Sequence, residues 1–156
     1  LGDVMSTYIA TIRWTRTGDG DFTKGQYSRG HGWAFDGGAT GPASASPHVV
    51  PAPWSDPAGI DPEEAFVASL SSCHMLFFVD FARRAGFTID DYVDEAEGVL
   101  ERRGDGRMAM TRVTLRPRIT WAGNAPDEAG LADFHHRAHE ACFIANSVTT
   151  EVTVQS

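Results

Sequence analysis

Residues 61–86, DPEEAFVASLSSCHMLFFVDFARRAG, decide how the rest of the chain is read. Asp61 suits a helix N-cap, Pro62 the first helical position, and Glu64 the returning carboxylate of a capping box. Gly86 is placed to end the helix, because glycine adopts the left-handed conformation that closes a last turn. Phe66, Val67, Leu70, Cys73, Leu76, Phe77, Phe78 and Phe81 leave the middle of this helix little polar face, which predicts a central, buried element. Ser69, Ser71, Ser72 and His74 interrupt the apolar run from Ala65 to Val79. It therefore falls short of the roughly 20 apolar residues of a membrane span, and no membrane association is expected.

Working outward, residues 8–14 alternate with Tyr8, Ala10, Ile12 and Trp14 on one face, the pattern of a strand. Residues 26–35 alternate again and put Tyr27, Arg29, His31, Trp33 and Phe35 on a common face. A long Gly/Pro-rich loop is expected over 36–60, of the kind that often forms a lid or binding loop. Downstream, 92–102 and 108–121 read as paired strands around the turn Arg103-Gly104-Asp105-Gly106. Glu95, Glu97 and Glu101 there face Arg112, Arg116 and Arg118 across the pair. Pro117 must sit at an edge or bulge. A helix over 127–141 and a strand over 148–154 complete the order β-β-loop-α-β-β-α-β. That is an α+β fold in a single domain spanning 1–156. Leu1-Gly2-Asp3-Val4 precede Met5 and read as residues ahead of the true start, with no secretory signal.

Composition narrows the functions. With 13 Lys+Arg against 21 Asp+Glu among 156 residues, the net charge of −8 argues against nucleic acid or anionic lipid as a partner. Two cysteines are too few for a disulfide-stapled secreted module or a four-thiolate zinc site. They are buried bystanders, a structural disulfide or a working thiol pair, and a reducing, cytoplasmic setting is the expectation.

Cys73 sits mid-helix, where a small hydrophobe filling the core and a reactive thiol read alike. Cys142, in HEACFIANSV, lies just past a helix at the start of a short turn whose amides would favour thiolate. The two are 69 positions apart, with no CxxC spacing. A metal reading competes: His135, His139 and Cys142 fall on one helical stripe at i, i+4, i+7, and all are suitable zinc ligands. The bland reading of His135, His136 and His139 is a solvent-facing helix surface. No GxSxG elbow, P-loop or dinucleotide fingerprint is present.

DPEEAFVASLSSCHMLFF, followed by a second cysteine after a late helix, resembles the OsmC/Ohr family of osmotically inducible and organic hydroperoxide resistance proteins. The specific part is Pro-Glu, eight residues, then Ser-Cys on one helix; the order of elements is similar from Tyr8 to Val154. The long insertion before the helix resembles the OsmC-like branch. Two departures stand out: Gly59-Ile60-Asp61 in place of Gly-Thr-Asn, and Cys142-Phe143 in place of Cys-Pro. The resemblance implies an OsmC-like fold in an intertwined homodimer and a peroxidase acting on organic hydroperoxides without a cofactor. It further implies Cys73 as the peroxidatic thiol, Cys142 as the resolving thiol, and Glu63 as the carboxylate holding an Arg that polarises Cys73. Lys24 and Arg16 match that Arg by position; Arg29, facing an aromatic surface, is favoured because an unpaired charge there would be costly. A dithiol reductant, lipoyl in type, is also implied. Glu63 and Cys73 lie ten residues apart, roughly 15 Å along a helix axis, a span that a dimer relieves. Trp54, Phe66, Phe77 and Phe143 are candidates to line the peroxide's pocket. A second reading is a non-catalytic small-molecule binding protein with the proline-rich loop as lid.

Overall fold

The computed structural model describes residues 5–156, so the expectation for residues 1–4 lies outside the described residues. The chain divides into two compact units, residues 1–62 and 63–156.

In the first unit, β1 (Ala10–Arg13), β2 (His31–Phe35) and β3 (Thr40–Ala43) form an antiparallel sheet in that order. The second strand is shorter than its alternation suggests. Ahead of it, Phe22–Lys24 form a 3-10 turn, started by the Asp21 side chain and stopped by Gly25 at φ 80°. β3 lies inside the expected loop, and the remainder of 36–60 is folded. Ser44 is fully buried with its Oγ accepting the Asp56 N–H at 3.0 Å, and the Ser46 carbonyl accepts the N–H groups of Val49 and Val50. A Cβ on Gly59 would come within 3.0–3.1 Å of Ala43 and Ser44, so any other residue here would have to push that backbone aside by a few tenths of an ångström.

In the second unit, α1 (Pro62–Arg84) and α2 (Glu128–Ala141) accompany β4 (Thr88–Asp94), β5 (Glu97–Arg102), β6 (Met108–Leu115), β7 (Pro117–Ala122) and β8 (Glu151–Val154). β4 pairs with β7, while β5, β6 and β8 form a second sheet with β8 parallel to β6. Each expected long strand is therefore broken in two. Asp94 ends β4 and its Oδ1 accepts the Arg116 N–H at 2.6 Å, which takes Arg116 out of the ladder. Pro117 then opens β7, a strand position where its missing donor is tolerated. The expected charge pairs form: Arg112–Glu101, Arg116–Glu97 and Arg118–Glu95 at 3.8, 3.6 and 3.3 Å. All are exposed, so each adds at most about 1 kcal/mol.

The core of this unit has two parts. Phe78 and Ala82 of α1 meet Phe134 and Ala138 of α2, and Leu70 of α1 meets Val113 and Leu115 of β6. The buried residues of α1 are Leu70, His74, Phe78 and Ala82, spaced by four. Burial all round, as expected from composition, does not hold within one chain, since Leu76 is 62% exposed. Despite its serines, α1 is long and apolar enough by length and composition to cross a membrane, with a mean hydropathy of 1.5. In this fold that apolar content supplies both parts of the core.

Candidate active site

α1 presents Cys73, half-buried, and the end of α2 presents Cys142, buried; both are free thiols. Cys142 closes α2, its N–H donating to the carbonyls of Ala138 at 2.9 Å and His139 at 3.3 Å. The Cys73 thiol lies close enough to Cys142 to act on it electrostatically. Ala145 N–H donates to Cys142 Sγ at 3.4 Å, the amide contact expected of the turn that follows. Those amides do favour thiolate, but burial outweighs them and the Cys73 thiol adds to it, pushing Cys142 up to about 11. The expectation of a thiolate at Cys142 is thus corrected: it is a protonated thiol held against Cys73.

Glu63 occupies the first turn of α1, and its Oε2 is buried without a hydrogen-bond partner. A buried carboxylate oxygen in that state is costly unless a cation or donor meets it. Phe77 and Phe143 lie edge to face with ring centroids 5.0 Å apart. Phe66 packs instead around Leu70, Val113 and Leu115.

The metal alternative is corrected. His135 is buried rather than solvent-facing, and its Nδ1 shares a hydrogen bond with His74 Nε2 at 3.0 Å. Cys142 turns its sulfur to Cys73, and among the described residues no group of three or more His, Cys, Asp or Glu side chains is arranged to hold a metal ion. His136 is exposed and His139 half-buried.

In the first unit, the Arg29 guanidinium lies 3.6 Å over the Tyr27 ring, and its Nη1 donates to the carbonyls of Gly25 and Tyr27 at 2.8 and 2.6 Å. The expected placement of Arg29 on an aromatic surface therefore holds. Trp14, Phe22, Tyr27, Arg29, His31 and Ser44 line a cavity of about 450 Å³. His31 Nε2 accepts from Trp33 Nε1–H at 3.2 Å, which makes Nδ1 the protonated nitrogen, donating to the Arg29 carbonyl at 2.8 Å. Trp54 is not among the cavity's lining residues; its carbonyl accepts the Arg29 N–H at 2.9 Å. Lys24 pairs with Asp21 at 3.8 Å, and Arg16 is exposed.

Sequence reasoning missed His74, Ser71 and Asp94 of the second unit and misread His135 as a metal ligand or an exposed residue. His74 and His135 are both buried, with rings stacked 5.3 Å apart at 12°. Ser71 Oγ donates to Asp94 Oδ2. Ser71 and His74 flank Cys73 in one turn, and His135 alternates with apolar Phe134 and Ala138; that spacing was the available signal.

The sequence model of a family described as OsmC-like protein matches residues 55–156. No match was found among curated proteins. Among solved structures, the chain is similar to an OsmC-like protein of unknown function from Vibrio cholerae. The identity is 49% and the TM-score 0.94, over 97% of this chain and 99% of that one. The fold is shared with the organic hydroperoxide resistance protein OhrB of Bacillus subtilis at 19% identity and TM-score 0.68, over 96% and 97% of the two chains. It is shared too with an organic hydroperoxide resistance protein from Legionella pneumophila at 16% identity and TM-score 0.70, over 99% and 100%.

Proposed function

The chain belongs to the OsmC-like protein family, and from that membership we propose that it is a thiol-dependent peroxidase that reduces organic hydroperoxides. The family's fold includes proteins named for organic hydroperoxide resistance. The observation that carries the reading is that Cys73 and Cys142 of one chain are neighbouring free thiols.

In the proposed reaction the Cys73 thiolate attacks one oxygen of the O–O bond. That bond breaks, the alcohol leaves with a proton, and Cys73 becomes a sulfenic acid. Cys142 then attacks the Cys73 sulfur; its proton and the sulfenic hydroxyl leave as water, and a disulfide remains. A dithiol reductant, for which a lipoyl group is a candidate, returns both thiols with two electrons and two protons. The half-exposed position of Cys73 suits the first step, and the buried, protonated Cys142 suits a second thiol that waits for the sulfenic acid. Arg29 is the proposed activating cation, since a guanidinium lowers a thiol's pKa and steadies a departing alkoxide. Glu63, with its unpartnered oxygen, is the proposed carboxylate that orders it. The protein is proposed to work as a homodimer in the cytoplasm, where both thiols stay reduced.

The test is Cys73→Ser with hydroperoxide consumption followed under a dithiol reductant. Loss of turnover is expected, with Cys142→Ser retaining a single oxidation event per chain. Unchanged turnover in Cys73→Ser overturns the peroxidase. It would favour the alternative of a small-molecule binding protein, which the cavity of about 450 Å³ in the first unit supports.

A further inference from the structure

One turn of α1 carries Ser71, Cys73 and His74, and the two residues beside the thiol are each tied to a different element. Ser71 Oγ donates to Asp94 Oδ2 at the end of β4, and the other oxygen of Asp94 accepts the Arg116 N–H at 2.6 Å. His74 Nε2 and His135 Nδ1 share a hydrogen bond at 3.0 Å, one ring's N–H donating to the bare nitrogen of the other. The rings are 1% and 5% exposed. His135 and Cys142 are seven residues apart on α2, two turns along one face and about 10.5 Å on the axis. The histidine pair therefore joins the turn that bears Cys73 to the helix that ends in Cys142.

This arrangement is expensive for a core. His135 Nε2 and the Tyr92 hydroxyl are buried without partners, and an unsatisfied buried polar atom keeps its full desolvation cost. Apolar side chains of similar size would avoid that cost, so stability alone does not account for the histidines. What apolar packing lacks is direction: it tolerates sliding of one helix along another, whereas a hydrogen bond between two buried rings selects one register. A disulfide needs such a selection, because its Cβ atoms must come within about 3.5–4.5 Å.

We propose that the His74–His135 hydrogen bond, together with Ser71–Asp94, is a clamp that sets the register at which Cys73 and Cys142 close into a disulfide. These four are positioning residues. The inference rests on the reading of the two cysteines as a reacting pair, but not on the identity of their oxidant.

The experiment accordingly avoids hydroperoxide. Full-length protein is equilibrated with reduced and oxidised glutathione. In this exchange one oxidised glutathione takes two electrons and two protons from the two thiols, leaving two reduced glutathiones and the Cys73–Cys142 disulfide. The fraction oxidised gives the effective concentration of one thiol at the other. His135→Phe keeps a ring stacked beside Phe78 and removes Nδ1; it is expected to lower that effective concentration tenfold or more, on the scale of about 10²-fold for an ångström of misplacement. His135→Asn puts an amide nitrogen near the lost Nδ1, and should return it to within about threefold of wild type. Circular dichroism reports whether each variant folds; if His135→Phe does not, Ser71→Ala, which frees the same turn, takes its place with the same expected direction. A folded variant with wild-type effective concentration overturns the clamp, as does a wild-type protein that forms no Cys73–Cys142 disulfide at all. A wild type that closes in glutathione but ignores hydroperoxides overturns the peroxidase reading alone.

Discussion

His74 and His135 are held neutral by burial, each with its pKa lowered from 6.5 to about 4; for His74 the neighbouring His135 and His139 lower it further, and Asp94 opposes the shift on both. In the unfolded chain both rings take up protons near pH 6.5, whereas in the fold they do so only near pH 4. Between those values the unfolded state binds more protons, so stability rises with pH across this window and is lost as pH falls through it. For one ring the difference corresponds to roughly 3 kcal/mol. Urea denaturation between pH 7 and 4 should therefore show a fall in stability on the order of 3 kcal/mol. The double variant His74→Phe/His135→Phe should flatten that fall; an equally steep loss in the double variant would place the acid sensitivity elsewhere. At this scale the sequence was a partial guide. The aromatic setting of Arg29 could be read from alternation, whereas the pairing of the cysteines and the place of Glu63 were implied only by the family resemblance. Burial could not, because a histidine on a helix looks the same whether it faces water or another histidine. The same blindness misjudged Cys142, whose amides are local in sequence while the groups that bury it come from elsewhere in the fold.

Among the elements, β5 lies tightest at Gly98. A Cβ there would sit 2.5 Å from Val67 Cγ2 on α1 and 2.6 Å from Met110 Cε on β6. Met110 can swing aside, but Val67 is β-branched and stiff at χ1. Gly98→Ala should accordingly destabilise by about 1–3 kcal/mol, the usual cost of overpacking. Val67→Ala in the same chain should recover part of it, as read by the midpoint of thermal unfolding; an additive double variant would show that α1 and β5 do not crowd at this point. Helix boundaries were legible because their caps are local: Pro62 opens α1, and Asp127 caps α2 by accepting the Gly130 N–H at 2.8 Å. The strand breaks after Asp94 and at Arg116 were not. They depend on one side chain meeting a backbone amide 22 positions away, and the alternation of apolar residues runs straight through them. β3 escaped for a related reason, since Gly41 and Pro42 read as loop while the ladder to β2 makes them strand.

For the whole molecule, the exposed apolar residues carry the argument. In the first unit Tyr8 is 90% and Ile12 58% exposed, and Leu76 and Phe143 of the second unit are exposed as well. Large apolar side chains left exposed on a unit mark a place where another protein is seated, and the proposed occupant is a second copy of the chain. The protein should then sediment as a dimer at micromolar concentration. Ile12→Asp and Leu76→Asp should each shift it toward monomer by placing a charge where apolar contact is needed. A wild-type monomer at that concentration overturns the dimer. The two sulfurs give this prediction a second edge. Cys73 and Cys142 lie as neighbours in one unit of one chain, so closure of their disulfide in glutathione should survive in the monomeric variants. Hydroperoxide turnover need not survive, because Glu63 and Cys73 lie roughly 15 Å apart along α1, a span that a second copy would relieve. Loss of turnover with closure intact would separate the work of the second copy from that of the thiol pair, whereas loss of both would mean that the dimer also holds α1 and α2 in register.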